Sequence, residues 1–332
     1  MSNISDFIKT VVIYHGGCSD GTAAAWALSL CLDPNSTYYH YGKFKETTPD
    51  IKDKNVIFVD FTYPLEQTLV LLQEAKSVLV LDHHETAECL RRITDPRFTL
   101  ILDKSRSGAQ IAWDYAIEKY IPGTSVGLIH FTPTEVKTEL LIPDALDKFI
   151  LEHKDKRPWF IDDIGDRDLW RWSIPESKES TRAMFSMSLC EHPNTLFKLI
   201  SMKRDEIVAR GRILLEEDEK TYSLILKSAV DCVATAPNGQ QWKVRIVECP
   251  HFHASEIGNR MVLDGLCDFA IAYRYNLLKD EWWLSCRALP SSDVNLTKIV
   301  PLFDKQGGGH AKASGMTLPS LKEYFKPADK KF

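Results

Sequence analysis

Three short apolar runs in the first half of the chain, Val11-Val12-Ile13-Tyr14, Val56-Ile57-Phe58-Val59 and Val78-Leu79-Val80-Leu81, most constrain what it can fold into. Each is too short for a helix and carries no alternating polar positions. That pattern predicts strands buried on both faces, as in a parallel sheet. Between them lie helical stretches, the Ala- and Leu-rich 22–32 and 64–74. Strand-helix alternation predicts an α/β domain, with a parallel sheet covered on both faces and ligands at the C-terminal strand ends. Further helices are predicted over 108–120, with Ser107 as N-cap, and over 143–156, with a loop over 122–134 between them.

From about 196 to 227 the pattern becomes one long, charged, proline-free amphipathic helix. Strand-like runs follow at 229–236, 242–248, 269–275 and 282–287, then a helix at 295–303. The expected organisation is an N-terminal domain over 1–195, a helical connector over 196–228 and a smaller α+β domain over 229–332.

All three apolar runs end in possible metal ligands: His15-Gly16-Gly17-Cys18-Ser19-Asp20, then Asp60, then Asp82-His83-His84. A lone Asp at a strand end is ordinarily a turn or capping residue, and a lone His ordinarily a packed or surface group. Asp-His-His closing an apolar strand, with two earlier strands ending alike, points instead to a site assembled at one sheet edge. Carboxylates and imidazoles together suit a divalent ion such as Mn2+. Two ions close together need a bridging carboxylate.

The set resembles the DHH phosphoesterase superfamily, which includes nanoRNases, RecJ-type exonucleases and cyclic-dinucleotide phosphodiesterases. Asp166-Arg167-Asp168-Leu169-Trp170-Arg171-Trp172 is similar to its fourth motif, with Asp166 as the matching ligand and Asp168 and Asp163 as alternatives. Gly307-Gly308-Gly309-His310-Ala311-Lys312-Ala313-Ser314-Gly315 resembles the GGGHxxAxG signature of the DHHA1 substrate domain. The resemblance spans nearly the whole chain. It implies an N-terminal parallel-sheet DHH domain, a linking helix and a DHHA1 domain. It also implies two ions, Mn2+ foremost with Mg2+ or Co2+ as alternatives. Asp60 would bridge them, His15 would serve one ion, Asp20 and His83 the other, and Asp166 would complete the cluster. Asp82 would support the site from behind, and His84 would contact the scissile phosphate or assist the leaving oxygen. Cys18 stands where many members have a carboxylate. A thiolate is a softer ligand, so that site would be weaker, water-filled or biased toward another ion; otherwise Cys18 is a small packed thiol. In the second domain Arg287 matches a strand arginine used on substrate phosphate, while Gly307–Gly309 and His310 would approach phosphate closely.

Other features are set aside. The 16–22 segment lacks the lysine of a P-loop. Cys249, His251 and His253 lack a second ligand pair for zinc. Ser105-Arg106-Ser107 reads equally as a cleft or a simple cap, and Trp170, Trp172, Trp282 and Trp283 read more as packing than as base stacking.

Composition narrows the partners. The net charge of −5 gives no electrostatic grip on long nucleic acid. The charge is uneven: 13 Lys/Arg and 11 Asp/Glu leave 229–332 at +2 and the first 228 residues at −7. Eight cysteines without a C-x-x-C pair, no apolar run of membrane length and no secretory signal indicate a cytoplasmic protein. The expected function is metal-dependent hydrolysis of phosphate esters in a small nucleotide or short RNA or DNA oligonucleotide. Oligoribonuclease, bisphosphonucleotide phosphatase and dinucleotide phosphodiesterase activities all fit. The alternatives are a catalytically degenerate nucleotide- or partner-binding protein and, ranked lower, an inorganic pyrophosphatase. The oligomeric state stays open, a homodimer included.

Overall fold

A computed structural model describes residues 7–43, 48–123, 143–330 and 332. The chain divides into two compact units, Met1–Leu215 and Glu216–Phe332. The first is built from β1 (Thr10–His15), α1 (Ser19–Ser29), β2 (Thr37–Gly42), β3 (Asn55–Val59), α2 (Leu65–Glu74), β4 (Ser77–Asp82), β5 (Phe98–Leu102), α3 (Gly108–Lys119), α4 (Pro143–Glu152), α5 (Trp159–Asp168) and α6 (Ser177–Ser186). Its five strands form one all-parallel sheet in the order β2-β1-β3-β4-β5. The three apolar runs are therefore its three central strands.

Successive residues of these strands point to opposite faces, and both faces are buried. Val12, Tyr14, Ile57, Val59 and Leu81 pack with α1, α3 and α5, where Trp26 stacks on Trp113 with ring centroids 5.9 Å apart. Val11, Ile13, Val56, Phe58, Val78 and Val80 pack on the other side with Leu71 and Leu72 of α2. Strands β2 and β5 were not anticipated by the apolar runs. The expected loop over 122–134 falls mostly outside the described residues.

The predicted single helix over 196–227 is two pieces. A 3-10 segment, Pro193–Ile200, buries Leu196, Phe197 and Leu199 in the first unit's core, and α7 (Arg204–Leu226) starts afresh after it. The division between the units falls within α7. Among the described residues no helix is long and apolar enough to cross a membrane, and all eight cysteines are free thiols.

Gly211 of α7 lies against the backbone of α6: a Cβ there would come within 1.9 Å of the Glu179 carbonyl oxygen. Helix propensity alone predicts that Gly211→Ala gains about 1 kcal/mol. The backbone clash opposes it, at roughly 1–3 kcal/mol or more. Net destabilisation, a lower urea midpoint with unchanged slope, is the expected outcome; a higher midpoint would show that α6 and α7 can part freely.

The second unit adds β6 (Val230–Thr235), β7 (Gln241–Glu248), α8 (Ala254–Val262), β8 (Phe269–Asn276), β9 (Glu281–Arg287), α9 (Leu296–Phe303), β10 (Gly308–His310), β11 (Ala313–Leu318) and β12 (Phe325–Pro327). Its sheet runs β10-β11-β9-β8-β7-β6-β12, with one parallel pair, β7 and β8. Ile299, Val300 and Phe303 of α9 pack on one face and Ile257, Met261 and Val262 of α8 on the other.

Candidate metal centre

In an open parallel sheet a ligand binds beyond the C-terminal strand ends, where the strand order reverses. Here the reversal lies between β1 and β3, neighbours in the sheet. β1 ends at His15, β3 runs into Asp60, and β4 runs into Asp82-His83-His84. Asp20 comes from the first turn of α1. These side chains form one connected group. His15 Nδ1 lies 3.3 Å from Asp60 Oδ2, and His83 Nε2 lies 3.1 Å from Asp60 Oδ1 and 3.9 Å from Asp20 Oδ2. The two oxygens of Asp60 thus face two different histidines, the geometry a bridging carboxylate needs.

Local backbone makes this possible. Asp60 adopts φ 53°, in the left-handed region that Asp tolerates better than most residues. Gly108, opening α3, leaves the space it needs: a Cβ there would lie 2.5 Å from Asp60 Cβ and 2.9 Å from Asp20 Oδ2. The same helix start supplies the Ala109 amide, which donates to Asp20 Oδ1 at 3.1 Å. Gly108 was not singled out in the sequence, where nothing marks its role; only the Ser107 cap beside it was legible. Ser107 forms a capping box with Gln110, and Arg106 pairs with Asp103 and Asp114. Ser107 is therefore a helix cap, and it also borders Asp20 of the cluster.

The fourth-motif expectation needs correction. Asp166 is turned away from the cluster: Oδ1 accepts from the Ser173 amide and hydroxyl at 2.9 and 2.7 Å, and Oδ2 from the Ile174 amide and Ser177 hydroxyl at 3.2 and 2.6 Å. It pins the segment after α5. Asp168 is the residue that meets the site, with Oδ2 3.5 Å from His83 Nε2. Helix phase gives the reason: residues two apart point about 200° away from each other, so only one can face the cluster. Asp163 is also occupied elsewhere, by Arg204 and Ser180.

Asp82 and His84 pair with each other beside this group, with ligand atoms close to those of Asp60 and His83. Asp82 Oδ1 accepts from the His83 amide at 2.7 Å, the His84 amide at 3.2 Å and His84 Nδ1 at 2.7 Å. The His83 side chain is 1% exposed and that of His84 15%. His83 is therefore enclosed among the carboxylates, and His84 reaches the surface.

The charge balance shows what the group lacks. Burial, with Asp60 and Asp168 close by, pushes the Asp20 carboxyl well above its usual range, and burial raises Asp168 as well. Burial alone would raise Asp60, but the His83 hydrogen bond and the nearby His15 and His84 rings hold it well below that range. Burial opposes the charge on His83, yet Asp60, Asp168 and Asp20 outweigh it and push its pKa up to about 10. Burial and the same three carboxylates push the Cys18 thiol well up. The Oδ2 atoms of Asp20, Asp60 and Asp168 and Nδ1 of His15 are buried without a hydrogen-bond partner. Orphaned acceptors in a negatively charged pocket fit a divalent cation. Within the first unit, potential ligand atoms lie within 4.8 Å of one another in three sets among the described residues, His15-Cys18-Asp60, Asp20-His83-Asp168 and Asp60-Asp82-His83-His84. The donor set of carboxylate oxygens, imidazoles and one thiol fits a divalent metal ion.

In the second unit, His310 pairs with Ala313, and Ala313 with Arg287, in one row across β10, β11 and β9. Directly paired residues share a face, so Arg287 and His310 project from the same side of the sheet. Arg287 donates to Ser255 Oγ at 2.6 Å and to Ser285 Oγ at 3.0 Å, and lies against Gly258 of α8, where a Cβ would come within 2.8 Å of its Cγ. The three glycines have different reasons. A Cβ on Gly307 would meet Val300 at 2.5 Å, and one on Gly309, at φ 139°, the Ala313 oxygen at 2.5 Å. Nothing lies within 4 Å of that position at Gly308, so packing does not require glycine there. Lys312 is used internally, donating to the carbonyls of Ser292 and Val294.

No family model matches the chain. It is 27% identical over 334 residues to "Uncharacterized protein R106" of Acanthamoeba polyphaga mimivirus, covering 94% of this chain and 68% of that protein. Similar solved structures include CDC45 from Entamoeba histolytica, at 11% identity, TM-score 0.47 and coverage of 95% of this chain and 94% of that one. An exopolyphosphatase-related protein from Bacteroides fragilis gives 11% identity, TM-score 0.45 and coverage of 95% and 88%. A pGpG-specific phosphodiesterase from Vibrio cholerae gives 16% identity, TM-score 0.37 and coverage of 95% and 94%.

Proposed function

We propose that this chain is a divalent-cation-dependent phosphoesterase of the DHH/DHHA1 kind, acting on small nucleotides or short oligonucleotides. One observation carries the reading: three neighbouring parallel strands deliver His15, Asp60 and Asp82-His83-His84 to one sheet edge, where buried carboxylate oxygens lack partners. Cations bound there would neutralise a phosphoryl group and supply an activated water. The chain's own residues do the rest. Asp60 joins the two halves of the ligand set, Asp20, His15, His83 and Asp168 complete them, and Asp82 fixes the ring of His84. His84, partly exposed and held at Nδ1 by Asp82, would give a proton to the leaving oxygen.

Arg287, His310 and the open backbone at Gly308 are the proposed anchor for a further phosphate of the substrate. An Arg can clamp two phosphate oxygens, and glycine allows backbone N–H groups to come close. The overall charge of −5 favours short substrates over long nucleic acid. The test is kcat/KM with Mn2+ on substrates from two to about twenty nucleotides, with a dinucleotide and p-nitrophenyl phosphate compared in Arg287→Ala. Loss of the charge-assisted anchor should cost about 2 kcal/mol on the dinucleotide. p-Nitrophenyl phosphate has no second group to anchor and should be little affected. Efficiency is expected to fall as the substrate lengthens; a steady rise with length would favour an exonuclease on long strands.

A further inference from the structure

Cys18 occupies the N-cap position of α1, yet its side chain makes no capping hydrogen bond. Residues favoured there, Ser, Thr, Asp and Asn, are favoured because they do make one. The Cys18 sulfur belongs with His15 and Asp60 in a set whose ligand atoms all lie within 4.8 Å of one another. The Asp60 side chain is 1% exposed, and the oxygen that faces His15, Oδ2, has no hydrogen-bond partner. The neighbouring set, Asp20, His83 and Asp168, contains no sulfur.

The two sets therefore differ in softness. A thiolate selects thiophilic ions such as zinc, whereas carboxylates with a single imidazole suit manganese or magnesium. His, Cys and Asp also make three protein ligands, the number that catalytic zinc sites use while keeping one position open. We propose that the centre is mixed: His15, Cys18 and Asp60 hold Zn2+, while Asp20, His83 and Asp168, sharing Asp60, hold Mn2+ or Mg2+. On binding, a sulfur lone pair forms the bond to zinc and the thiol proton leaves to solvent. This inference rests on the metal-dependent reading above and assigns unlike roles to its two halves.

The full chain, stripped with chelator and kept reduced, is titrated with Co2+ and followed by absorption. The expected result is a near-ultraviolet sulfur-to-cobalt charge-transfer band that saturates at one equivalent and is missing in Cys18→Ser and Cys18→Asp. In competition dialysis against equal Zn2+ and Mn2+, the unsubstituted chain should take up one of each. Cys18→Asp should lower the preference for zinc by roughly tenfold or more, at least what losing an indirect contributor to a metal site costs. Serine can cap the helix, so Cys18→Ser keeps the comparison valid if the aspartate variant fails to fold. Two bound Co2+ without the band, or a band that survives in both variants, places Cys18 outside the centre and overturns the inference while leaving the phosphoesterase reading standing. No bound metal in any form overturns both.

Discussion

Asp60→Asn is expected to abolish hydrolysis and empty both cation positions while leaving the fold in place. The substitution isolates charge from shape. Asparagine keeps the Cβ that sits against Gly108 and tolerates the left-handed backbone at φ 53°. It cannot offer two anionic oxygens, and Asp60 uses both: Oδ1 faces His83 at 3.1 Å and Oδ2 faces His15 at 3.3 Å. An amide must turn its NH2 toward one of those sides, which presents a donor where a cation needs an acceptor. A carboxylate serving two ions takes both with it when it goes. Loss of their charge stabilisation should cost about 4 kcal/mol or more, roughly a thousandfold in kcat/KM. Metal analysis after dialysis, together with rates on a dinucleotide, checks this. Asp60→Ala should lose activity equally and also some stability, about 1 kcal/mol, because alanine is strained at positive φ. A normal metal content in the asparagine variant would show that the bridge lies elsewhere.

The parts of the fold that place Asp60 were legible for a physical reason. Central strands of a parallel sheet are buried on both faces, so β1, β3 and β4 read as unbroken apolar runs, and the residues just after them mark the site. Thr37–Gly42, with the sequence TYYHYG, and Phe98–Leu102 are the outer strands of the same sheet. The first lacks a Val/Ile/Leu run altogether, so nothing in it announced a strand. The connector failed differently. Charged, proline-free sequence continues across 196–227, but Leu196, Phe197 and Leu199 are drawn into the first unit's core, and that tertiary pull breaks the helix before Arg204. The fourth motif shows the limit of spacing. Asp166 and Asp168 sit two apart in one helix, and which of them faces the cluster depends on the rotation of α5 about its axis. Packing sets that rotation, and the short motif does not encode it. Gly108 is visible only once Asp60 and Asp20 are seen beside it.

His83 and His84, adjacent in sequence, are expected to separate in behaviour. His83 is enclosed, 1% exposed, with Nε2 toward Asp60, Asp168 and Asp20. His83→Ala removes a nitrogen ligand from the centre of the carboxylates, so metal content should fall together with rate. His84 leans outward and is held from behind, its Nδ1 2.7 Å from Asp82 Oδ1. With Nδ1–H donated to Asp82, the other nitrogen, Nε2, is the one that can carry a proton to substrate. Burial would lower the pKa of His84, but the charge and hydrogen bond of Asp82 outweigh it and raise it. The protonated ring needed by a general acid is thereby favoured. His84→Ala should keep metal content and lose roughly 10^2- to 10^4-fold in kcat, the range for a positioned general acid. The Asp82 partnership adds a pH signature whose sign is fixed. A general acid works below its pKa, and Asp82→Asn removes the anion that raises that of His84. The alkaline limb of the kcat profile should therefore move to lower pH, with metal content retained. Equal metal loss in His83→Ala and His84→Ala would assign both rings to the ions. An unshifted limb in Asp82→Asn would remove His84 from the proton transfer.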